Sequence, residues 1–385
     1  MKILNIILRE KFDLNKLSAL PKIAWEIAQR AQEEININIV SNGTKKEIKK
    51  FNKKINFIYL PGSYLSFFDN TLSFIKEKNN QGIIYFLGSL SGGCIFSWRA
   101  RTYPNKIILN LINGGISVKD LKFIRLYDLF LQPSNCILHP SVLGKPVELF
   151  FSKFLQNGNI TKIIVQSQRL KNKIISLAPK AKVEQIQFGV QQELLDFKIK
   201  HPSMEKLLLY FGHIYSVRGI DDMLISIDSL LEEGLKIKTK LIITPETNVK
   251  FLKKILSQFP KVKENTFLIK KYIDNPGKNI CDSDLAFFLY RFSGEIPEYP
   301  LALLEIMAAG IPVITTNIGA ISELFPKNIA SYCLVKPGDI KNTVKKARNL
   351  LSNIGLRNLV IKTNKNTVAK MTWEKYYDKV KTLLF

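Results

Sequence analysis

The feature that most constrains this chain is an alternation of short apolar runs with longer helix-patterned stretches, which runs, breaks off and starts again. Ile3–Leu8 is an apolar run of strand length. Within Ser18–Glu33, Leu20, Ile23, Ala24, Ile27 and Ala31 recur at three- and four-residue spacing, the pattern of an amphipathic helix. Pro21 is tolerated there because it falls in the first turn. Ile35–Val40 alternates Ile35, Ile37 and Ile39 and ends at the turn signal Asn42-Gly43. Strands at Ile55–Leu60, Ile83–Leu87, Lys106–Leu111 and Lys162–Gln166 follow, then a helix over Ser167–Leu177 and a strand at Val183–Phe188. The charged, poorly patterned stretch Gln191–Lys206 interrupts the series. Beyond it, strands at Leu207–Phe211, Thr239–Thr244, Thr266–Lys270, Leu285–Tyr290 and Val313–Thr316 alternate with helices at Ile220–Glu233, Val249–Gln258 and Leu301–Ala309. Strands separated by helices build a parallel sheet covered on both faces. The expected architecture is α/β, with two doubly wound Rossmann-like domains, 1–195 and 206–368, facing across a cleft where ligands tend to bind. A length of 385 residues suits two domains.

Composition narrows the function classes. With 46% hydrophobic and 23% charged residues the chain packs a core and is not disordered. Its four cysteines, Cys94, Cys136, Cys281 and Cys333, show no CxxC spacing, so no metal is expected and a reducing cytoplasm is. The opening MKILNIILREKF is not a signal peptide, because Arg9, Glu10 and Lys11 cut its apolar run short. The uncharged window Gly82–Trp98 reads as a buried strand followed by a Gly/Ser turn and is short for a membrane span. Net charge is +25, and residues 1–200 hold 30 Lys+Arg against 14 Asp+Glu. Such a half attracts an anionic partner, or it is a solvated Lys-rich surface. No basic–aromatic motif of a nucleic-acid-binding kind is present, so no specific nucleic acid is expected. KDLKFIRLYDLF from Lys119 and KPVELFFSKFL from Lys145 set Phe and Leu near helical spacing among basic residues. They read either as an anionic membrane contact or as core-facing helices with basic outer faces.

The richest stretch is Ser283–Glu323, SDLAFFLYRFSGEIPEYPLALLEIMAAGIPVITTNIGAISE. Pro300 suits the first helical position, Gly310 ends the helix and Pro312 prevents its continuation. LALLEIMAA between them is apolar on nearly every side and so buried all round. Glu305 is its one charge. A buried carboxylate needs a basic partner or a ligand whose hydroxyls donate to it, so a structural ion pair and a grip on a sugar or ribose are both open. The first N–H groups of that helix, those of Leu301 and Ala302, suit an anion such as diphosphate. In the second stretch, LLLYFGHIYSVRGIDD, a strand leads through Gly212 and His213 to Arg218 just before Gly219. Arg suits a phosphate through its planar fork of donors, although an Arg beside a turn is common. His213 is a second donor or a turn residue.

Together these segments resemble the retaining GT-B glycosyltransferases of glycosyltransferase family 4. LLEIMAAGIPVITTNIGAISEL is similar to that family's most recognisable segment, and YFGHIYSVRG to its donor loop, with His213 and Arg218 in the places of its two cations. KIIVQSQRLKNKI followed by VEQIQFGV, and MTWEKYYDKV near the end, are also similar to family segments. The resemblance covers about 160–380 well and the first 160 residues in outline. It implies a transferase of polysaccharide or glycolipid biosynthesis; the cysteine usage suits the cytoplasm, and the basic first half leaves a peripheral place on the inner face of the membrane open. It implies a nucleotide-sugar donor, a glycan or lipid-linked acceptor, no metal, no cofactor and no protein nucleophile. Glu305 would hold the ribose; Arg218, and with it His213, would neutralise the leaving diphosphate, beside Gly212, Leu301 and Ala302. Residues 369–385 would form a closing helix packed back on the first domain. Three features depart from the pattern. Glu298 and Glu305 have six residues between them where the family has seven, with Pro297 at the expected place. LREKFDLNKL after the first strand holds no Gly. Asn113, before Gly114 on the acceptor side, stands where many members have His, and Asn is no base at neutral pH. These departures keep open a catalytically impaired binding subunit. A nucleotide-sugar 2-epimerase is the other alternative, with only His139, His201 and His213 as histidines.

Overall fold

The apolar runs of the sequence pair side by side as parallel strands. In the computed structural model, which describes residues 3–78, 82–114, 152–156, 158–197, 203–245, 247, 249–273 and 276–385, contacts divide the chain into two units. The first takes the described residues up to Gly114, those from 152 to Phe188, and Trp373–Phe385; the second takes Gly189–Thr372. The chain therefore crosses between units at Phe188/Gly189, ahead of the poorly patterned stretch, and again at Thr372/Trp373.

The first unit holds an eight-stranded sheet in the order β3-β4-β2-β1-β5-β6-β7-β8. Its strands are β1 (Ile3–Leu8), β2 (Asn36–Asn42), β3 (Glu47–Lys50), β4 (Ile55–Leu60), β5 (Ile83–Ser89), β6 (Ile107–Asn113), β7 (Ile160–Val165) and β8 (Val183–Gln185). Only β3, unpredicted from the sequence, runs antiparallel, against β4. Five of the six residues of β1 and six of the seven of both β5 and β6 are buried, as expected for strands covered on both faces. Helix α1 (Ala19–Ala31) starts after an extended Ser18 and buries Pro21, Ile23, Ala24, Ile27, Ala28 and Ala31. Helix α2 (Tyr64–Glu77) begins with a reciprocal Ser63/Ser66 capping box. The Gly/Ser stretch expected as a turn is instead helix α3 (Leu90–Arg99), capped by Ser89 Oγ, which accepts from the Gly92 N–H. Its small residues let it lie close on the sheet: a Cβ on Gly93 would come within 2.6 Å of Leu111 Cδ2. Packing here overrides the low helix propensity of Gly and Ser. Helix α4 (Gln168–Leu177) is capped by Ser167.

The second unit holds a wholly parallel six-stranded sheet, β11-β10-β9-β12-β13-β14. The strands are β9 (Lys206–Phe211), β10 (Ile237–Ile243), β11 (Thr266–Lys270), β12 (Leu285–Phe288), β13 (Val313–Thr316) and β14 (Leu334–Val335). Helices α5 (Ile220–Glu232), α6 (Leu301–Ala308), α7 (Ile340–Ser352) and α8 (Ile354–Val368) connect and follow them. The chain winds outward from β9 to β11, then returns to lay β12 on the other side of β9. The β9/β12 boundary is thus the switch point of the sheet, and loops leaving the two carboxyl ends diverge there.

The final helix, α9 (Trp373–Leu384), belongs to the first unit and buries Trp373, Tyr376, Tyr377, Val380, Leu383 and Leu384. Asn110 on β6 donates through Nδ2 to both Tyr376 and Tyr85 at 2.8 Å, and Gln166 Nε2 donates to Asn110 Oδ1 at 2.8 Å. Arg30 on α1 reaches Glu374 at 2.6 Å and Lys381 reaches Glu34 at 2.5 Å. Among the described residues no helix is long and apolar enough to cross a membrane.

Candidate active site

Two stretches singled out above, Gly212–Gly219 and the approach to α6, follow the two strands that meet at the β9/β12 switch point. β9 ends at Phe211, and Gly212 follows with φ 146°. His213 is fixed at both ends: its Nδ1 lies 2.9 Å from Thr244 Oγ1, and its carbonyl accepts from the Tyr210 hydroxyl at 2.5 Å. Its ring stacks on Tyr215 with centroids 5.8 Å apart. A 3-10 turn, Ser216–Arg218, then delivers Arg218 to Gly219, the left-handed residue that opens α5. A side chain at Gly219 is excluded, because a Cβ would stand 1.9 Å from the carbonyl oxygen of Leu289. The loop after β9 is thereby pressed against the chain leaving β12, and the Arg291 N–H donates to the Val217 carbonyl at 2.8 Å.

Arg218 lies over the ring of Tyr290, 5.8 Å from its centroid. Burial pushes the Tyr290 phenol up to about 12, while the neighbouring Arg218 guanidinium pulls it back. Burial likewise raises the Tyr210 phenol. These tyrosines are neutral at physiological pH, so they set a polar but uncharged wall beside the Arg218 cation. The Arg218 side chain is itself half-buried.

One cation here escaped the sequence reading. Arg291 is almost wholly buried and makes a two-pronged pair with Asp222, its Nε donating to Oδ2 at 2.9 Å. Asp221 lies 3.3 Å from the same guanidinium. The pair clamps the first turn of α5 to the segment after β12. Its signal was a charged residue closing the apolar run LAFFLY together with Asp221-Asp222 after the glycine. Asp221 and Asp222 also complement the positive end of α5.

Leu301 and Ala302 are the first two residues of α6. Pro300 is the N-cap and not the first helical residue; its carbonyl accepts the N–H groups of Leu303 and Leu304. That leaves those of Leu301 and Ala302 beyond the reach of any intrahelical acceptor. Glu305, one turn along, is 6% exposed, and Glu298 on the approach to the helix is 5% exposed. The helix ends in a Schellman motif: Gly310 N–H bonds to Met307 O and Ile311 N–H to Ile306 O. Tyr299 donates to Glu323 at 2.8 Å, and Thr316 on β13 donates to the Tyr290 carbonyl at 2.6 Å. The approach to α6 and the segments after β12 and β13 are therefore cross-tied.

Asn113 and Gly114 form a separate group, at the carboxyl end of β6 in the first unit. Lys173 Nζ donates to the Gly114 carbonyl at 2.7 Å and holds that strand end to α4. The basic–aromatic stretch from Lys119, most of that from Lys145, and His139 and His201 lie outside the described residues. Among the described residues no group of three or more His, Cys, Asp or Glu is placed to hold a metal ion. Arg218 follows β9 and the first N–H groups of α6 follow β12, the two strands that meet at the switch point, and both kinds of group are complementary to an anion.

Residues 191–367 match the family model described as Glycosyl transferases group 1. The chain is 29% identical over 83 residues to a sulfoquinovosyl transferase of Arabidopsis thaliana, covering 21% of this chain and 16% of that protein. It is 25% identical over 187 residues to the N-acetyl-alpha-D-glucosaminyl L-malate synthase of Bacillus anthracis, covering 47% of this chain and 45% of that protein. The matches thus span less than half the length of these relatives. Among solved structures, sucrose-phosphate synthase from Thermosynechococcus elongatus superposes with a TM-score of 0.77 at 12% identity, over 100% of this chain and 98% of that one. The fold is that of the GT-B glycosyltransferases.

Proposed function

We propose that this chain, which carries a glycosyl transferases group 1 domain on a GT-B fold, transfers a sugar from a nucleotide-sugar donor to a glycan, lipid or polyprenyl-phosphate-linked acceptor, with retention at the sugar. One observation carries the reading: Arg218 is held over Tyr290 at the switch point by a glycine that tolerates no side chain. A fixed guanidinium beside strand ends is the arrangement that stabilises a departing diphosphate. In this reading Arg218 takes the diphosphate charge, His213 donates to it, and the N–H groups of Leu301 and Ala302 complete the cradle. Glu305 accepts from the ribose hydroxyls and Glu298 from the donor sugar. Asn113 and Gly114 meet the acceptor. Rate acceleration then comes from positioning and charge stabilisation. The leaving phosphate accepts the acceptor's proton, so no residue has to act as nucleophile.

Thermal-shift and calorimetric titration with UDP-, GDP- and ADP-sugars tests donor binding, and release of nucleoside diphosphate with a glycan or lipid-linked acceptor tests transfer. Binding of none of these donors overturns the reading. A second reading, a binding subunit without turnover, is favoured by Asn113 in place of His and by the shortened Glu298–Glu305 spacing. Donor binding with no transfer or hydrolysis is its signature.

A further inference from the structure

The edge of the first unit's sheet carries a feature that the donor site does not use. Between β2 and β4 the chain reads KKEIKKFNKK, residues 45–54, with six lysines and one acid. It folds as the antiparallel edge strand β3 and the turn into β4. Lys45, Lys46, Lys49, Lys50 and Lys53 are exposed. So are two apolar residues, Ile48 at 47% and Phe51 at 48%. The register places Ile48 opposite Ile58 and Lys49 opposite Phe57, so Ile48 and Phe51 stand on opposite faces of the ribbon and flank its free edge. Phe51 is not a floppy tip: its ring packs edge-on to Trp25 at 5.1 Å and against Phe57 at 5.5 Å.

Lysines on an edge strand discourage strand-to-strand association, and that alone would account for some of them. It does not account for a half-exposed Ile and Phe set among them, which an aggregation-averse edge would replace. Basic residues around partly exposed apolar side chains, on a rigid support, match the surface of an anionic bilayer. The lysines meet the lipid phosphates and the apolar pair enters the headgroup layer.

We propose that the β3 edge, centred on Lys49, Lys50 and Phe51, is a docking surface for an anionic lipid bilayer. It adds to the lipid-linked-acceptor arm of the function above, and its failure leaves the donor chemistry intact. The test is co-sedimentation of the full chain with vesicles of phosphatidylglycerol and phosphatidylcholine, against pure phosphatidylcholine. Wild-type protein partitions onto the anionic vesicles only, and less as salt rises. Each lysine near such a surface is worth about fivefold in partitioning, so Lys49→Gln with Lys50→Gln lowers it about 25-fold. The same change at exposed Lys180 and Lys182, elsewhere on this unit, lowers it less than about fivefold. Phe51→Trp gives an emission blue shift on adding anionic vesicles beyond that of wild type. Equal losses from both lysine pairs, no binding at low salt, or duplex DNA bound as tightly as anionic vesicles each overturn the proposal. Melting temperatures near wild type confirm that the variants fold. Nucleotide-sugar binding unchanged in the Lys49/Lys50 variant separates this result from the donor reading.

Discussion

Arg218 and Gly219 sit side by side and do opposite things, one by its side chain and one by having none. Losing a charge-assisted contact to phosphate costs about 1.5–3 kcal/mol. Arg218→Ala is therefore expected to weaken nucleoside-diphosphate binding at least ~10-fold, since each ~1.4 kcal/mol is a decade. An unchanged dissociation constant by calorimetry would remove Arg218 from the site. Gly219→Ala drives a Cβ to 1.9 Å from a backbone oxygen in a left-handed conformation, and is expected to cost at least ~2 kcal/mol of stability. Gly234, with φ 85° and nothing within 4 Å of its Cβ position, supplies the comparison. Gly234→Ala carries backbone strain alone and costs about 1 kcal/mol. Equal losses for the two in denaturant titration would mean that the Leu289 contact yields without cost. Glu305→Gln keeps shape and burial while removing the charge. It is expected to fold normally and bind nucleotide-sugar more weakly; binding as tight as wild type would make Glu305 structural.

At the scale of elements, the site depends on how α5 is moored. Arg291 reaches from the end of β12 to Asp222 in the first turn of α5, and both are about 97% buried as side chains. Breaking one half of such a pair leaves a buried charge and costs about 3–5 kcal/mol. Asp222→Ala should therefore lower the denaturant midpoint of the second unit sharply. Replacing both residues by apolar ones of similar size should lose less, because no charge is left stranded. A double variant as unstable as the single one would show that the pair itself, and not the stranded charge, holds the element. The same clamp positions the turn bearing Arg218, so Asp222→Ala should weaken donor binding as well, although Asp222 itself belongs to the scaffold.

For the whole molecule, buried phenols set an alkaline limit. Tyr85 and Tyr376 in the first unit, and Tyr210 and Tyr290 in the second, are all raised by burial, Tyr290 to about 12. Above pH ~10 the unfolded chain releases these protons while the folded chain holds them. The unfolded state then binds fewer protons, so stability falls as pH rises. Below pH ~10 both states are protonated and the effect vanishes. Each such tyrosine costs up to ~1.4 kcal/mol per pH unit in that range. Thermal melts between pH 8 and 11.5 should be flat at first and then drop steeply. Tyr376→Phe should lessen the drop, at the cost of the Asn110 hydrogen bond. A melting temperature constant to pH 11.5 would mean that these hydroxyls titrate normally.

The two-sheet α/β plan could be read from the sequence because apolar periodicity is local: a strand of Ile and Leu or a helix of i, i+3, i+4 spacing needs no distant partner to be recognised. Ser167 begins a helix and Gly310 ends one for reasons readable within a few residues. The candidate residues Glu305 and Arg218 stood out for the same reason: a lone carboxylate on an apolar helix and an Arg-Gly step after a strand differ from their neighbours. The remaining features depend on contacts between segments far apart in the chain. LSGGCIFSW became a helix because a sheet surface received its small residues, and no local rule favours that. β3 exists only because β4 offers an edge to it. The Arg291–Asp222 clamp joins residues 69 positions apart in the sequence. The last helix returns to the first unit because Tyr376 completes a hydrogen-bond network with Asn110 and Tyr85, far back in the chain. Pairings of this kind follow from which surfaces meet, and burial makes their polar contacts obligatory once they do.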